Sequence, residues 1–504
     1  MIFRRSDTLP VRQLPTPSNS KMRAMVLFAV LAGLVVRFYF VLRFPAQDSG
    51  DAPFYIELAW NWLKKGVYGV PIAGVLTPVD MRVPGYPAFL ASIFVFAGKS
   101  QHAVMVVQAL VDLATCFVVA LIAAKLAPPE SRRRMALAGL WLAALCPFTA
   151  NYTAVVLTET LVTFLTAVAL LVLLQADFGA PQATGEFGAS NSWFSRWFLA
   201  GILVGFGTLV RPETPLVLVA AGLVLTGIWW RPANWGKLVR VALLMAAGLF
   251  LTLVPWAARN WYTLRDVQLL APHYSLLPGE FAPLGFDAWI NTWLWRLRDV
   301  YLVTWKLDVE PISMGDIPAS AFDTKLQRQR VAEIFERYNN TLTWERDQDR
   351  ELGEIGRQRT ARNPLRTYLK IPFLRALTIW FTPRVELLPL SGKIWPLREQ
   401  WQDDRRDLRA TLLLVAANVI YIGLALAGLW MVRRSPGAAL LLAFILVRTA
   451  YFCTLADEAP EPRYVLECFP AVIALGAQTF RGKFSFPRAA RDEWSAGRSA
   501  GSAP

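Results

Sequence analysis

Apolar runs long enough to cross a bilayer recur along this chain and narrow what it can fold into. They fall at roughly 24–42, 103–126, 135–150, 155–174, 197–213, 214–230, 238–257, 409–432, 437–455 and 464–480. In hydrocarbon every backbone N–H and C=O must find a partner within the protein, so runs of this kind become helices. The expected fold is an all-α polytopic membrane protein with about ten transmembrane helices. Composition agrees, because 20 Trp and 30 Phe among 504 residues suit interfacial aromatic belts.

Charge then sets the orientation. A net charge of +15 would also suit a nucleic-acid partner. However, the basic residues gather in short segments between apolar runs: Arg4 to Arg23, Arg132 to Arg134, Arg231 to Arg240, Arg433–Arg434 and Arg481 to Arg491. That is the positive-inside pattern, and no nucleic acid is inferred from it. Ten crossings place every cluster in the cytoplasm, with the bilayer itself as partner and the inner (plasma) membrane as location. The first run lacks a clear cleavage site and reads as an uncleaved helix. The stretch 197–230 must then be two short crossings joined at Arg211-Pro212-Glu213, since a single crossing would leave Arg433 and Arg434 outside. A helix broken at that depth needs protein or a water-filled cavity beside it.

The expected organisation is an N-terminal transmembrane module at 1–262, an outer region at 263–408, transmembrane helices at 409–480 and a cytoplasmic tail at 481–504. Within the first module the outer loop 43–102 carries Phe54, Leu58 and Trp62 at i, i+4, i+8, a surface-lying amphipathic helix. The outer region holds a charged helical stretch near 324–361 and an amphipathic one at 365–384. Gly201 to Gly207 (GILVGFG) reads as helix packing. Cys116, Cys146, Cys453 and Cys468 read as packing residues, although Cys453 and Cys468 are placed to approach each other. Two histidines, His102 and His273, argue against a His-based metal site.

Seven charged residues in or beside apolar runs are expected to share the outer face: Asp48, Asp51, Arg82, Glu159, Arg211, Arg259 and Arg463. A charge near hydrocarbon is costly and marks a polar cavity or pathway. Carboxylates facing arginines suit a site that handles a phosphate and moves a proton. Four of them also have a plainer role open to them. Asp51 suits a helix N-cap, and Glu159, after Thr158, complements a helix dipole. Arg82 is placed to snorkel, and Arg463 to pair with Glu461 or Glu458.

Several of these stretches resemble the GT-C superfamily of membrane glycosyltransferases, with similarity to bacterial relatives of the protein O-mannosyltransferases and of the lipid A aminoarabinose transferase. They are DAPFYIELAWNWLKKG, RVPGYPAFLASIFVFAG, LTETLVTFL, GILVGFGTLVRPE, PWAARNW and EPRYVLECFP, in the family's order. The resemblance covers about 24–262 and 409–480. It implies a polyprenyl-phosphate sugar donor, a lipid, glycan or protein acceptor, and a site on the non-cytoplasmic, periplasmic face. Asp51 would be the catalytic base, with Asp48 and Glu159 as further carboxylates. Arg82 and Arg463 would hold the donor phosphate, and Tyr55, Tyr86, Arg211 and Arg259 would contact substrate. Ala52 stands where the protein mannosyltransferases usually carry Glu, which leaves the part of Asp48 open. Some relatives use a divalent cation, so Mg2+ or Mn2+ is a possible cofactor on Asp48, Asp51 and Glu159. A secondary transporter or lipid flippase is the competing class, but it would favour internal repeats and a midplane site. This chain shows neither.

Overall fold

The computed structural model describes residues 19–46, 50–176, 178, 187–272, 274, 280–454 and 460–481. Helix α1 (Asn19–Arg43) is followed by α2 (Ala52–Lys65), a hairpin of β1 (Gly69–Ile72) and β2 (Val75–Pro78), and α3 (Gly85–Ala97). Next come α4 (Gln101–Leu126), α5 (Arg132–Ala144), α6 (Pro147–Asn151), α7 (Glu159–Gln175), α8 (Phe187–Thr208), α9 (Leu216–Ile228) and α10 (Trp235–Leu264). The stretch after Asp51 is the helix α2: Pro53 occupies its first turn, Gly66 closes it at φ 69°, and its Phe54 and Leu58 pack against the hairpin and Trp256 instead of lying free on a surface.

All ten apolar runs fall on helical segments. Among the described residues five helices are long and apolar enough to cross a membrane, or six if the pair Pro129–Ala144 and Pro147–Ala154, bent by 45°, counts as one span. The others are shorter, with α7 at 17 residues and α9 at 13. At 1.5 Å per residue α9 reaches only about 20 Å, less than the hydrocarbon core. Protein covers the deficit in part, since every residue of the nine-residue helix in the last run, Phe469–Ala477, is buried.

Helices α8 and α10 touch backbone to backbone. A methyl placed on Gly201 would lie 2.2 Å from the Met245 carbonyl oxygen, and one on Gly248 would lie 2.4 Å from that of Phe198. The GILVGFG stretch therefore serves close helix packing. Both Cys453 and Cys468 are buried free thiols, as are Cys116 and Cys146, so the approach of the first two forms no disulfide.

The segment between α10 and Ile371 has its own core. Helices α11 (Leu284–Ile290), α12 (Leu297–Leu302), α13 (Lys325–Thr341) and α14 (Arg346–Arg362) bury Trp289, Trp293, Phe335, Tyr338 and Trp344 among them. The charged stretch expected near 324–361 is thus two helices, parted at Leu342–Glu345. Its acidic hub is Asp323, which accepts from Arg359 at 2.8 Å and Arg366 at 2.6 Å. Burial raises the Asp323 carboxyl, but the Arg366 hydrogen bond and the charges of Arg359, Arg366 and Arg362 outweigh it and hold it below the usual carboxylate range.

Helix α15 (Ile371–Phe381) ties this region to the membrane helices α16 (Leu397–Asp403) leads into: α17 (Arg405–Val432) and α18 (Pro436–Thr454). Arg375 donates to the Leu294 carbonyl at 2.9 Å, while Trp380 donates to Thr449 on α18 at 3.0 Å. Its opposite face exposes Phe373, Leu377 and Phe381, as an amphipathic surface helix should. The chain ends its described course in the helix Phe469–Ala477, α19.

Candidate active site

The first outer loop brings an acid and a base together. Asp51 sits at the N-cap of α2 but makes no side-chain capping bond. Its Oδ1 instead accepts from Arg82 at 3.1 Å, with side-chain exposures of 41% for Asp51 and 29% for Arg82. The pair is therefore open to a ligand from outside. Arg82 is not snorkelling freely: its other nitrogen donates to the Met81 carbonyl at 3.0 Å, and Tyr68 donates to the Arg82 carbonyl at 2.8 Å.

Behind this pair lie two tyrosines. Tyr55 and Tyr86 meet edge to face at 5.2 Å. Burial pushes the Tyr55 phenol up to about 12, so it stays protonated and able to donate at neutral pH. Tyr86 donates to Gln108 at 2.7 Å, and Gln108 donates to the Val155 carbonyl at 2.7 Å. That chain of bonds fixes the approach to α7, whose first residue is Glu159.

A buried ionic wall follows. Arg211, in the break between α8 and α9, lies 3.1 Å from Glu159, 3.6 Å from Glu213 and 3.9 Å from Glu467. Glu467 also accepts from Thr166 at 3.1 Å and from Arg448 at 2.5 Å. Arg463 pairs with Glu461 at 2.6 Å, and Arg211 and Arg463 both lie over the Tyr464 ring, at 5.7 and 5.3 Å. Glu159 is among the charges felt by Arg463, and both the Asp51–Arg82 and Glu159–Arg211 pairs act on Tyr55. One polar cluster thus joins residues from the first loop, α7, the α8–α9 break and the stretch before α19.

Of the seven charges expected on one face, Asp51, Arg82, Glu159, Arg211 and Arg463 belong to this cluster. Asp48 lies outside the described residues. Arg259 is engaged elsewhere: it donates to the Val79 carbonyl at 2.8 Å and the Tyr68 carbonyl at 2.7 Å, and stacks over Tyr68 and Trp256. It clamps the hairpin to α10 and reaches the site only through Tyr68. Sequence reasoning passed over Glu467 and Arg448, although each is a charge inside an apolar run, the signal that found the others. It also passed over Glu386, which accepts from Tyr152 at 2.9 Å near Arg463.

Of the three carboxylates expected to hold a divalent cation, Asp51 and Glu159 are described and Asp48 is not. Among the described residues no three His, Cys, Asp or Glu gather as ligands, and Asp51 and Glu159 each face an arginine.

Comparison with known proteins gives distant likenesses. No family model matches the chain, and no curated protein does. Among solved structures, the Archaeoglobus fulgidus oligosaccharyltransferase tethered to an acceptor peptide is 15% identical at a TM-score of 0.49, over 92% of this chain and 49% of that one. The same organism's AglB with an inhibitory peptide and a dolichol-phosphate gives 14% at 0.47, over 90% and 50%. ArnT from Cupriavidus metallidurans bound to undecaprenyl phosphate gives 14% at 0.40, over 92% and 79%. The chain spans about half the length of the oligosaccharyltransferase structures it matches.

Proposed function

We propose that this protein is a membrane glycosyltransferase that moves a sugar from a polyprenyl-phosphate donor to a lipid, glycan or protein acceptor on the outer, periplasmic face of the inner membrane. The observation that carries this reading is the open Asp51–Arg82 pair, 3.1 Å apart, backed by the buried Glu159–Arg211–Glu467 chain. An exposed carboxylate and a planar fork of donors, held side by side, suit proton removal and phosphate binding in one reaction. Under this reading the 1–262 module with 409–480 forms the catalytic unit, and 263–408 contributes to acceptor choice.

The reaction is a direct displacement. The donor phosphate lies against Arg82 and Arg463, and the acceptor hydroxyl or amine enters beside the outer region. As the acceptor oxygen or nitrogen forms its bond to the anomeric carbon, the bond from that carbon to the phosphate oxygen breaks with inversion. Asp51 takes the acceptor proton. The departing phosphodiester becomes a monoester and gains negative charge, which the two arginines stabilise in a partly dry site. Tyr55, still a phenol, is a donor to the sugar or the phosphate. Glu159 and Glu467 hold Arg211 in place and keep the wall close to neutral.

Purified protein incubated with radiolabelled polyprenyl-phosphate sugars and a membrane lipid extract tests the proposal. Label should pass to a new product only when donor is supplied. Movement of intact donor between vesicle leaflets, with no new product, would support the flippase reading instead.

A further inference from the structure

At the far end of the bundle from Asp51 lies a cavity of about 630 Å³ that the proposed reaction does not use. Helix α7 measures the separation. It starts at Glu159 in the candidate site, and its Leu174 meets Gly437 and Leu126: a methyl on Gly437 would lie 2.8 Å from Leu174 and 2.9 Å from Leu126. Leu126 lines the cavity, so the two places are about 22 Å apart along α7. That is most of a hydrocarbon core.

Four arginines from three segments line it: Arg132 at the start of α5, Arg433 and Arg434 in the α17–α18 turn, and Arg481 beyond α19. No acidic residue is in the lining. Arg433 is occupied, lying 3.7 Å over the Trp430 ring and donating to the Trp430 carbonyl at 3.0 Å. The side chains of Arg132, Arg434 and Arg481 form no ion pair or hydrogen bond among the described residues, and neither does that of neighbouring Glu130. Three cations that line one cavity with no acidic partner among the described residues suit an anion.

What lies below the cavity indicates the kind of anion. Val419, Leu426 and Trp430 are exposed at spacings of seven and four, so they form one apolar stripe on α17 leading up to the arginines. Trp430 stands two residues before the end of α17, the position along a spanning helix where tryptophan commonly marks the interface. A soluble phosphate has no use for that stripe, whereas an acyl chain does. We propose that this cavity binds the phosphodiester headgroup of an anionic membrane phospholipid, with an acyl chain along Val419, Leu426 and Trp430. The site is independent of the glycosyltransfer reaction.

The test uses full-length, delipidated protein in mild detergent, titrated with phosphatidylglycerol, with phosphatidylcholine of the same chains, and with inorganic phosphate. Bound lipid is read by native mass spectrometry. Wild type should prefer phosphatidylglycerol. The combined R132Q, R434Q and R481Q variant should lose that preference by roughly a hundredfold, as removal of three juxtamembrane charges predicts. Lysine at the same three positions should retain most of it, which guards against a mere folding defect. Replacing Arg231 and Arg240, outside the cavity, should leave it unchanged. An unaltered preference in the triple glutamine variant would overturn the proposal. So would an equal loss on replacing Arg231 and Arg240, or displacement of the lipid by inorganic phosphate at the same concentration.

Discussion

The backbone N–H of Gly85 donates to the carbonyl of Leu209 at 2.6 Å. This one bond joins the turn that presents Arg82 to the end of α8, two residues before Arg211. A methyl on Gly85 would stand 2.4 Å from the same carbonyl oxygen, closer than any Cβ is found. The Gly85→Ala protein should therefore push the turn away from the α8–α9 break, at an overpacking cost of about 1–3 kcal/mol. Thermal unfolding in detergent would register the loss of stability, and donor turnover should fall with it. Unchanged melting and turnover would show that the two segments yield freely.

Asp51→Asn keeps the shape of the N-cap residue and removes the base. Transfer should drop by about 10²–10⁴-fold, with donor binding close to normal. Near-normal turnover would remove Asp51 from the role and turn attention to Asp48.

For Arg82 the informative change is to lysine. A cation serving only as an anchor tolerates it, whereas a bidentate phosphate ligand does not. Donor affinity should weaken in Arg82→Lys and fall further, roughly ten- to a hundredfold, in Arg82→Ala, given about 1.5–3 kcal/mol for a charged hydrogen bond. Equal donor affinity in wild type and Arg82→Ala, measured by titration with the polyprenyl-phosphate sugar, would exclude it as the phosphate ligand.

Acid should loosen the core between α10 and α15 through Asp323. Its carboxyl titrates lower when folded than when unfolded, so its contribution to stability is complete above the unfolded value, near pH 4, and is lost as pH falls through the lower folded value. Asp323→Asn should be less stable at neutral pH and should lack that part of the acid dependence. Fluorescence of the buried Trp289, Trp293 and Trp344 follows the transition. An identical acid profile in both proteins would discount the Arg359–Asp323–Arg366 cluster as a brace.

Sidedness is open to chemical labelling, because Lys99 and Glu130 are both exposed and lie at opposite ends of α4. A cysteine at Lys99 should react with a membrane-impermeant thiol reagent from the outer side, and one at Glu130 should not. Reaction at Glu130 from outside would invert the orientation and move the candidate site to the cytoplasm.

Much of this molecule is legible in one dimension. Apolar length forces helices because lipid offers the backbone no partners, and the helix after Asp51 shows in the spacing of Phe54, Leu58 and Trp62. The packing role of Gly201 follows from small residues at helical spacing. The isolated charges Asp51, Arg82, Glu159, Arg211 and Arg463 stand out because each sits beside residues that exclude water. Sequence does not reveal which charges meet. Arg211 lies 52 positions from Glu159 and 256 from Glu467, so those pairings exist only because α7, α8 and the stretch before α19 pack side by side. Arg259 is expected in the same cluster from sequence, yet it donates to the carbonyls of Tyr68 and Val79 that flank the hairpin. Glu467 is hidden within an apolar run and gains meaning only once Arg448 and Thr166 close on it from other helices. Local physics thus determined where the chain is helical and where charge is costly, while the choice of partners for those charges belongs to long-range packing, which no short window of sequence contains.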